Sequence, residues 1–436
     1  MTRRMGLEQE FFVVEPGGEP SHRADELLQR CLEMAEPRGL SRSFFATEWV
    51  KNIVELNTPP SSSPRELADS YRDILQLAID AGHEIGVRLY PYSVYPLHLI
   101  PVIRDEVKYH VQVRTIGHER FLNAGKCAGT HLHIEVPHGT IDSRVGIAYD
   151  APADARAELL NTYNLATALD PVMIALSRAC PFYEGRSSGL AHRTARYRGN
   201  EEYGWEGVYT LLPEVGSLRP YAESIEHLVQ LQFARHHAWL NALSAARVNG
   251  ELFEEAGGSL LTSAWNPVRL NLHGTVELRN VDSNLPEIVL GVMMLVYQLT
   301  HRVREERLIV TPTEGLDSMR VEGDRLLVPD FEHLHHQLLF AAVSEGLSSP
   351  IVKGYTQSTI EVACAHEPDW PGLSELVPQP GQFRTTESVL LEKYYPQGES
   401  LSREIGLELV REGCDVLEDS VRRLQESGTT EPLSTS

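Results

Sequence analysis

Stretches of alternating apolar and polar residues are interspersed with longer stretches at helical spacing. Residues 5–15, rich in Phe and Val, predict a strand. Residues 21–36 carry Leu27, Leu28, Cys31, Leu32 and Ala35 at helical intervals. Residues 47–58 read as extended, and the Pro/Ser run at 59–64 stops them, because proline opposes both helix and ladder. Ser63 is placed to cap a following helix, with Pro64 at its first position and Glu66 at its third. That helix runs to about Gly86, with Leu67, Tyr71, Ile74, Leu75, Ala78 and Ile79 on one face. Residues 87–99 read as extended but interrupted by prolines; further strands are expected at 129–137 and 267–282, and helices at 151–180, 221–248 and 286–307. Residues 182–209 form a polar, Gly- and Arg-rich connection with no clear period. Beyond it helices are expected to dominate, at 331–346, 387–394 and 401–426, before a flexible tail at 427–436. There is neither an internal repeat nor a long linker. The pattern therefore predicts one α+β domain over residues 1–426, a mixed sheet layered against helices.

Composition leaves this picture intact: 42% hydrophobic and 23% charged residues are ordinary globular usage. Charge changes it more. With 39 Lys and Arg against 61 Asp and Glu, the 436-residue chain carries −22. Such a field repels nucleic-acid phosphates and anionic lipids, so neither is an expected partner. Anionic small molecules are repelled too, so a site for them needs bound cations or clustered arginines. Five widely spaced cysteines without a CxxC argue against a disulfide framework or zinc knuckle and point to a reducing, cytoplasmic setting. Carboxylates at Glu8 and Glu10 fall where a secretory signal needs an apolar run. The longest apolar run, near 288–296, is too short to cross a bilayer.

The candidate chemistry lies on the predicted strands. A period of two puts Glu8 and Glu10 on one face, where paired carboxylates call for a cation or a proton. His131, His133 and Glu135 share a face, with Leu132, Ile134 and Val136 on the other. Thr275, Glu277 and Arg279 do the same, which offers an acid for a metal and a guanidinium for a phosphate. Glu48 and Glu55 are seven apart and converge only if a loop or bulge intervenes. Each motif alone is as readily a solvated strand edge or a cross-strand ion pair. Together they favour one oxygen-rich cavity for Mg²⁺ or Mn²⁺. Neither a Walker loop nor a strand-borne GxGxxG is present.

These motifs are where a resemblance becomes specific. Gly6-Leu7-Glu8-Gln9-Glu10-Phe11, the acidic segment from Glu48 through Glu55 to Thr58, and Gly129-Thr130-His131-Leu132-His133 recur in order with Gly274-Thr275-Val276-Glu277-Leu278-Arg279 and Asp282. So do Leu176-Ser177 to Pro181-Phe182 and Gly185. Over roughly residues 5–310 the chain resembles the glutamate–cysteine ligase type 2 family, also known as carboxylate–amine ligases. The resemblance implies a curved, mostly antiparallel sheet packed on helices, similar to the catalytic domain of glutamine synthetase. It implies Mg²⁺ ions held by Glu8, Glu10, Glu48, Glu55, His131 and Glu277 around the phosphates of ATP. It gives Arg279 the γ-phosphate, Glu277 and His133 places beside it, and Asn266, Arg269 and Arg196 contacts to nucleotide or substrate. One of Arg186, Arg193, Arg196 and Arg198 would close over an acyl-phosphate. The implied reaction joins a carboxylate, the γ-carboxylate of glutamate, to an amine, for which the family name suggests cysteine, through an acyl-phosphate, with small molecules as partners and a homo-oligomer as an option. Competing readings are a metal-dependent hydrolase or HxH oxygenase that does not use ATP, a silent amino-acid-binding relative, and a kinase that stops at phosphorylation. The HxH reading as a cupin-type oxygenase is weakened because Glu135 follows His133 too closely.

Overall fold

The computed structural model describes residues 3–142, 144–365, 385–395 and 400–428. Its strands are β1 (Met5–Val14), β2 (Phe45–Thr47), β3 (Ile53–Asn57), β4 (Arg88–Tyr90), β5 (Gly129–Glu135), the short pair β6 (Ile141–Asp142) and β7 (Gly146–Ile147), β8 (Val268–Asn271) and β9 (Thr275–Asp282). The main sheet has seven strands in the order β2-β3-β1-β5-β9-β8, with β4 joined to the far end of β1. All of its pairings are antiparallel. The α+β expectation therefore holds.

One face of this sheet is the main core. Leu7, Phe11 and Val13 of β1, Leu132 and Ile134 of β5, and Val276 and Leu278 of β9 are buried in a single cluster. Tyr71, Leu75, Leu165, Val172 and Val292 join it from the helices Pro64–Ile85, Ala153–Ala168, Asp170–Ser177 and Pro286–Glu305. Burying each such side chain contributes about 1.5–3 kcal/mol, so the apolar face fixes the register. A one-residue slip would drive Glu8 and Glu10 into that core. The helix Pro64–Ile85 starts as expected: Ser63 accepts from the Glu66 amide, and Gly86 ends it at φ 76°. At the far end of β1 the other face is covered as well. There Phe12, Val14, Tyr90, Tyr92 and Tyr95 pack against Leu409, Val410 and Cys414 of the helix Arg403–Gly428.

Several predicted elements differ in detail. Residues 47–58 are two strands, because 48–52 leave the ladder. The helix at 151–180 is two helices that meet at Leu169, with Pro171 in the first turn of the second, where its missing N–H costs nothing. The strand at 267–282 is a hairpin that turns at Gly274, φ 74°. The connection at 182–209 contains the helix His192–Arg198. Where helices alone were expected, a small sheet forms from β10 (Ile309–Thr313), β11 (Arg320–Glu322) and β12 (Arg325–Pro329), too short and broken by Pro312 and Gly315 to show a period. The expected tail falls almost wholly outside the described residues, and the last helix reaches Gly428.

Candidate active site

The antiparallel register assembles the polar face. Glu10 pairs with Glu55 between β1 and β3, and Glu8 with His131 between β1 and β5. His133 pairs with Glu277 between β5 and β9, and Glu277 with Arg269 between β9 and β8. Acids from distant parts of the chain thus fall on neighbouring strands of one face, opposite the apolar core. Glu48 joins them from the turn at 48–52, near enough to Glu55 and Glu10 for the carboxyl groups to interact. That turn resolves the awkward spacing of Glu48 and Glu55.

Each side chain is held by identifiable partners. Glu10 Oε2 accepts from the Gly129 amide at 2.7 Å. A Cβ at Gly129 would lie 2.0 Å from Arg193 Nη2, so any side chain there would displace that guanidinium. Arg193 in turn donates to the Arg279 carbonyl at 3.1 Å. Glu8 lies between two imidazoles, 3.1 Å from His131 Nδ1 and 3.1 Å from His133 Nε2. His133 Nδ1 is 3.0 Å from Thr275 Oγ1. Glu277 is fully buried and accepts from Arg269 Nε at 2.7 Å, from Arg279 Nη1 at 2.6 Å and from the Asn271 amide. Arg279 Nη1 also lies 3.3 Å from His131 Nδ1.

The electrostatics divide the cluster in two. Burial would raise the Glu8 carboxyl, but the hydrogen bond to His131 and the close contact with His133 outweigh it and hold Glu8 below the usual range. Burial likewise opposes ionisation of Glu277, yet the charges of Arg269 and Arg279 hold it well below. Burial lowers His131, helped by the Arg279 charge. His133 is raised: burial lowers it, but the charge of Glu277 and the contact with Glu8 prevail. On the β3 side, the charge of Arg279 reaches Glu48 but does not offset burial and the neighbouring carboxylates. Burial and the charge of Glu10 push Glu48 up to about 7. Burial and the charges of Glu8, Glu48 and Glu10 raise Glu55 well above its usual value.

That imbalance fits a cation-binding site. Ligand atoms of Glu8, His131 and Glu277 lie within 4.8 Å of one another, and so do those of Glu10, Glu55 and His131. His131 is common to both groups. Its Nε2 is buried without a hydrogen-bond partner, 3.7 Å from Glu10. A donor set dominated by carboxylate oxygens suits a hard divalent ion.

Not every predicted residue joins. Glu135, the last residue of β5, is taken up by Arg4, 3.0 Å away. Asn266 spends its amide on the Glu214 and Ser217 carbonyls, at 2.9 and 2.8 Å. Arg196 stacks over the Tyr183 ring at 4.5 Å and donates to the Glu206 carbonyl. Arg198 turns away into a buried bidentate pair with Asp170, and Arg186 is exposed. Asn271 is a contact that the sequence reading missed. It sits two residues from Arg269 on the same face, a signal visible only once the hairpin is known. A cavity of about 820 Å³ between Arg3, Glu158, Tyr297 and Arg307 holds none of the clustered residues.

Comparison with known proteins places this geometry. The family model for glutamate–cysteine ligase family 2 matches residues 4–306. Among curated relatives, the glutamate–cysteine ligase of Natronomonas pharaonis is 24% identical over 294 residues, 66% of this chain and 67% of that one. That of Haloquadratum walsbyi is 23% identical over 304 residues, 68% of this chain and 69% of its own. Among solved structures, the bifunctional glutathione synthetase of Pasteurella multocida superposes with a TM-score of 0.58 at 14% identity. The match covers 95% of this chain and 52% of that one, so this chain spans about half of that protein and shares its fold. The chain belongs to glutamate–cysteine ligase family 2, a family of ATP-dependent carboxylate–amine ligases.

Proposed function

We propose that this protein uses ATP to join the γ-carboxylate of glutamate to an amine, with cysteine the first amine to test. The observation that carries the reading is the single polar row on the sheet: acids and His131 on β3, β1, β5 and β9, ending at Arg269 and Arg279. Glu8, Glu10, Glu55, His131 and Glu277 fit as ligands of divalent ions, with Glu48 beside them. Bound there, Mg²⁺ would supply the positive charge that a triphosphate needs on a chain of −22.

The substrate carboxylate oxygen attacks the γ-phosphorus, the bond to the β-phosphate oxygen breaks, and ADP leaves. Arg279 and Arg269 neutralise charge on the transferring group, while Glu277 fixes the direction of both guanidinium groups. The amine nitrogen then attacks the acyl carbon and inorganic phosphate departs. The nearby cysteines are unsuited to act as nucleophiles: burial pushes Cys127 up to about 12 and Cys180 well above its usual value. Positioning and electrostatics supply the acceleration.

The test is ADP release with glutamate and Mg²⁺ against a panel of amines, with mass detection of the product. An amide product in step with ADP is expected. ADP formed without any amine-dependent product, or turnover without ATP, removes the reading.

A further inference from the structure

The alternation along β1 has one exception. Leu7, Phe11 and Val13 of the core-facing row are apolar, whereas Gln9, between Glu8 and Glu10, is a fully buried amide in the same row. Each of its polar atoms is partnered. Gln9 Nε2 donates to Ser283 Oγ at 2.9 Å and to the Asn284 carbonyl at 2.8 Å. Its Oε1 accepts from the hydroxyl of Tyr71, on the helix Pro64–Ile85. Ser283 Oγ in turn donates to the Glu10 carbonyl at 2.7 Å. These bonds close a ring that includes the peptide between Gln9 and Glu10.

The far end of the ring is fixed too. Ser283 and Asn284 directly follow Asp282, the last residue of β9. Ser93 Oγ donates to the Ser283 carbonyl at 3.1 Å, Asn284 Nδ2 to the Ser177 carbonyl at 2.9 Å, and Thr386 Oγ1 to Asn284 Oδ1 at 3.0 Å. In the sheet β5 lies between β1 and β9, so Gln9 joins two strands that share no ladder. One carries Glu8 and Glu10, the other Glu277 and Arg279. Both ligand groups depend on that spacing. Glu8 belongs with His131 and Glu277, and Glu10 with Glu55 and His131. Mg²⁺ demands near-ideal octahedral geometry from its oxygen ligands. An apolar pair in place of Gln9 and Tyr71 would serve burial about as well. A satisfied polar network does what such a pair cannot: it selects one arrangement of the strands.

We propose that Gln9, braced by Tyr71 and Ser283, is a positioning residue for the metal row: from the core face it sets the place of Glu8 and Glu10 relative to Glu277. The inference rests on the Mg²⁺-dependent ligase reading above. It names side chains outside the row, on the opposite face of the sheet, on which the Mg²⁺ affinity of the row depends.

Calorimetric Mg²⁺ titration of the chelated full chain, without ATP, tests this apart from turnover. Gln9→Met should melt below the parent, because the Tyr71 hydroxyl is left without its acceptor, and its Kd for Mg²⁺ should rise about tenfold. Adding Tyr71→Phe to it should recover Tm, since both partners of that bond are then gone, and should leave the Mg²⁺ affinity weak. Should Gln9→Met fail to fold, Tyr71→Phe alone carries the test, with a Kd rise in the same direction. Tyr355→Phe is the control for a purely structural loss. It removes another buried hydroxyl, bonded to the Ala168 carbonyl at 2.9 Å, and should lower Tm without moving the Mg²⁺ affinity. A Kd within about twofold of the parent in the folded Gln9 and Tyr71 variants, or an equal rise in the control, overturns the positioning role. A parent that binds no Mg²⁺ overturns it as well. A parent that binds Mg²⁺ more tightly than the variants but makes no amide overturns the ligase reading and leaves the positioning role standing.

Discussion

At the residue scale, the site is a set of charges that do not balance. Arg269 and Arg279 over-satisfy Glu277, while Glu48 and Glu55 face other carboxylates. Glu48 moves from the usual 4.5 up to about 7. A raised carboxyl keeps its proton in the folded state while the unfolded chain loses it. The associated stability is complete below 4.5 and declines as pH rises through about 7. Metal-free protein should therefore lose Tm across that interval. Mg²⁺ should flatten the profile, because it takes the ionised form. Melts after chelation, with and without Mg²⁺, check this, and identical profiles would exclude Glu48 from the cluster. Glu277→Gln should abolish ADP release and lower stability by about 3–5 kcal/mol, since it strands two guanidinium groups. Denaturant unfolding and the ADP assay read the two effects separately.

At the element scale, the hairpin of β8 and β9 aims Arg269 and Asn271 at Glu277. The helix His192–Arg198 plays a comparable part from above the sheet. Its Arg193 lies against Gly129 and the Arg279 carbonyl, and its Arg198 is locked to Asp170, which also accepts from Asn280 of β9. Asp170→Asn should cost about 3–5 kcal/mol by denaturant unfolding, as expected for a broken buried pair. Gly129→Ala should cut ADP release more than it lowers Tm, because the added methyl displaces Arg193 from Arg279 and disturbs the amide that holds Glu10. Unchanged turnover in that variant would show that the Arg193 contact is not needed.

At the scale of the molecule, two layers bracket the active sheet. Helices seal its apolar face, and the C-terminal helix seals the end of the polar face where Phe12 and Tyr90 lie. Val410→Asp would put a charge into that aromatic cluster and should unfold the chain or lower its Tm sharply, although residue 410 lies outside the part matched by the family model. The melting curve of this variant tests whether the C-terminal helix is integral to the fold. Saturating Mg²⁺ should raise Tm in the parent protein by mass action, about 2.7 kcal/mol at a hundredfold excess over Kd. The same addition should raise Tm less in a Glu10→Gln variant, which loses one of the two ligand groups and keeps Glu8, His131 and Glu277.

The sequence by itself determined which faces would be polar. Two-residue periodicity is a local property, so Glu8 with Glu10, His131 with His133, and Glu277 with Arg279 could be read before any fold was known. It also fixed the helix Pro64–Ile85, whose start and stop are written in Ser63, Pro64 and Gly86. Tertiary structure decided what those faces meet. Glu135 shares the periodicity and ends on Arg4, Asn266 turned to carbonyl groups, and Glu48 entered from a turn that no period announces. The physical reason is range. Alternation arises within a strand, whereas cross-strand register and the pairing of a buried charge depend on residues remote in the sequence, as when Glu8 meets His131 and Glu135 meets Arg4.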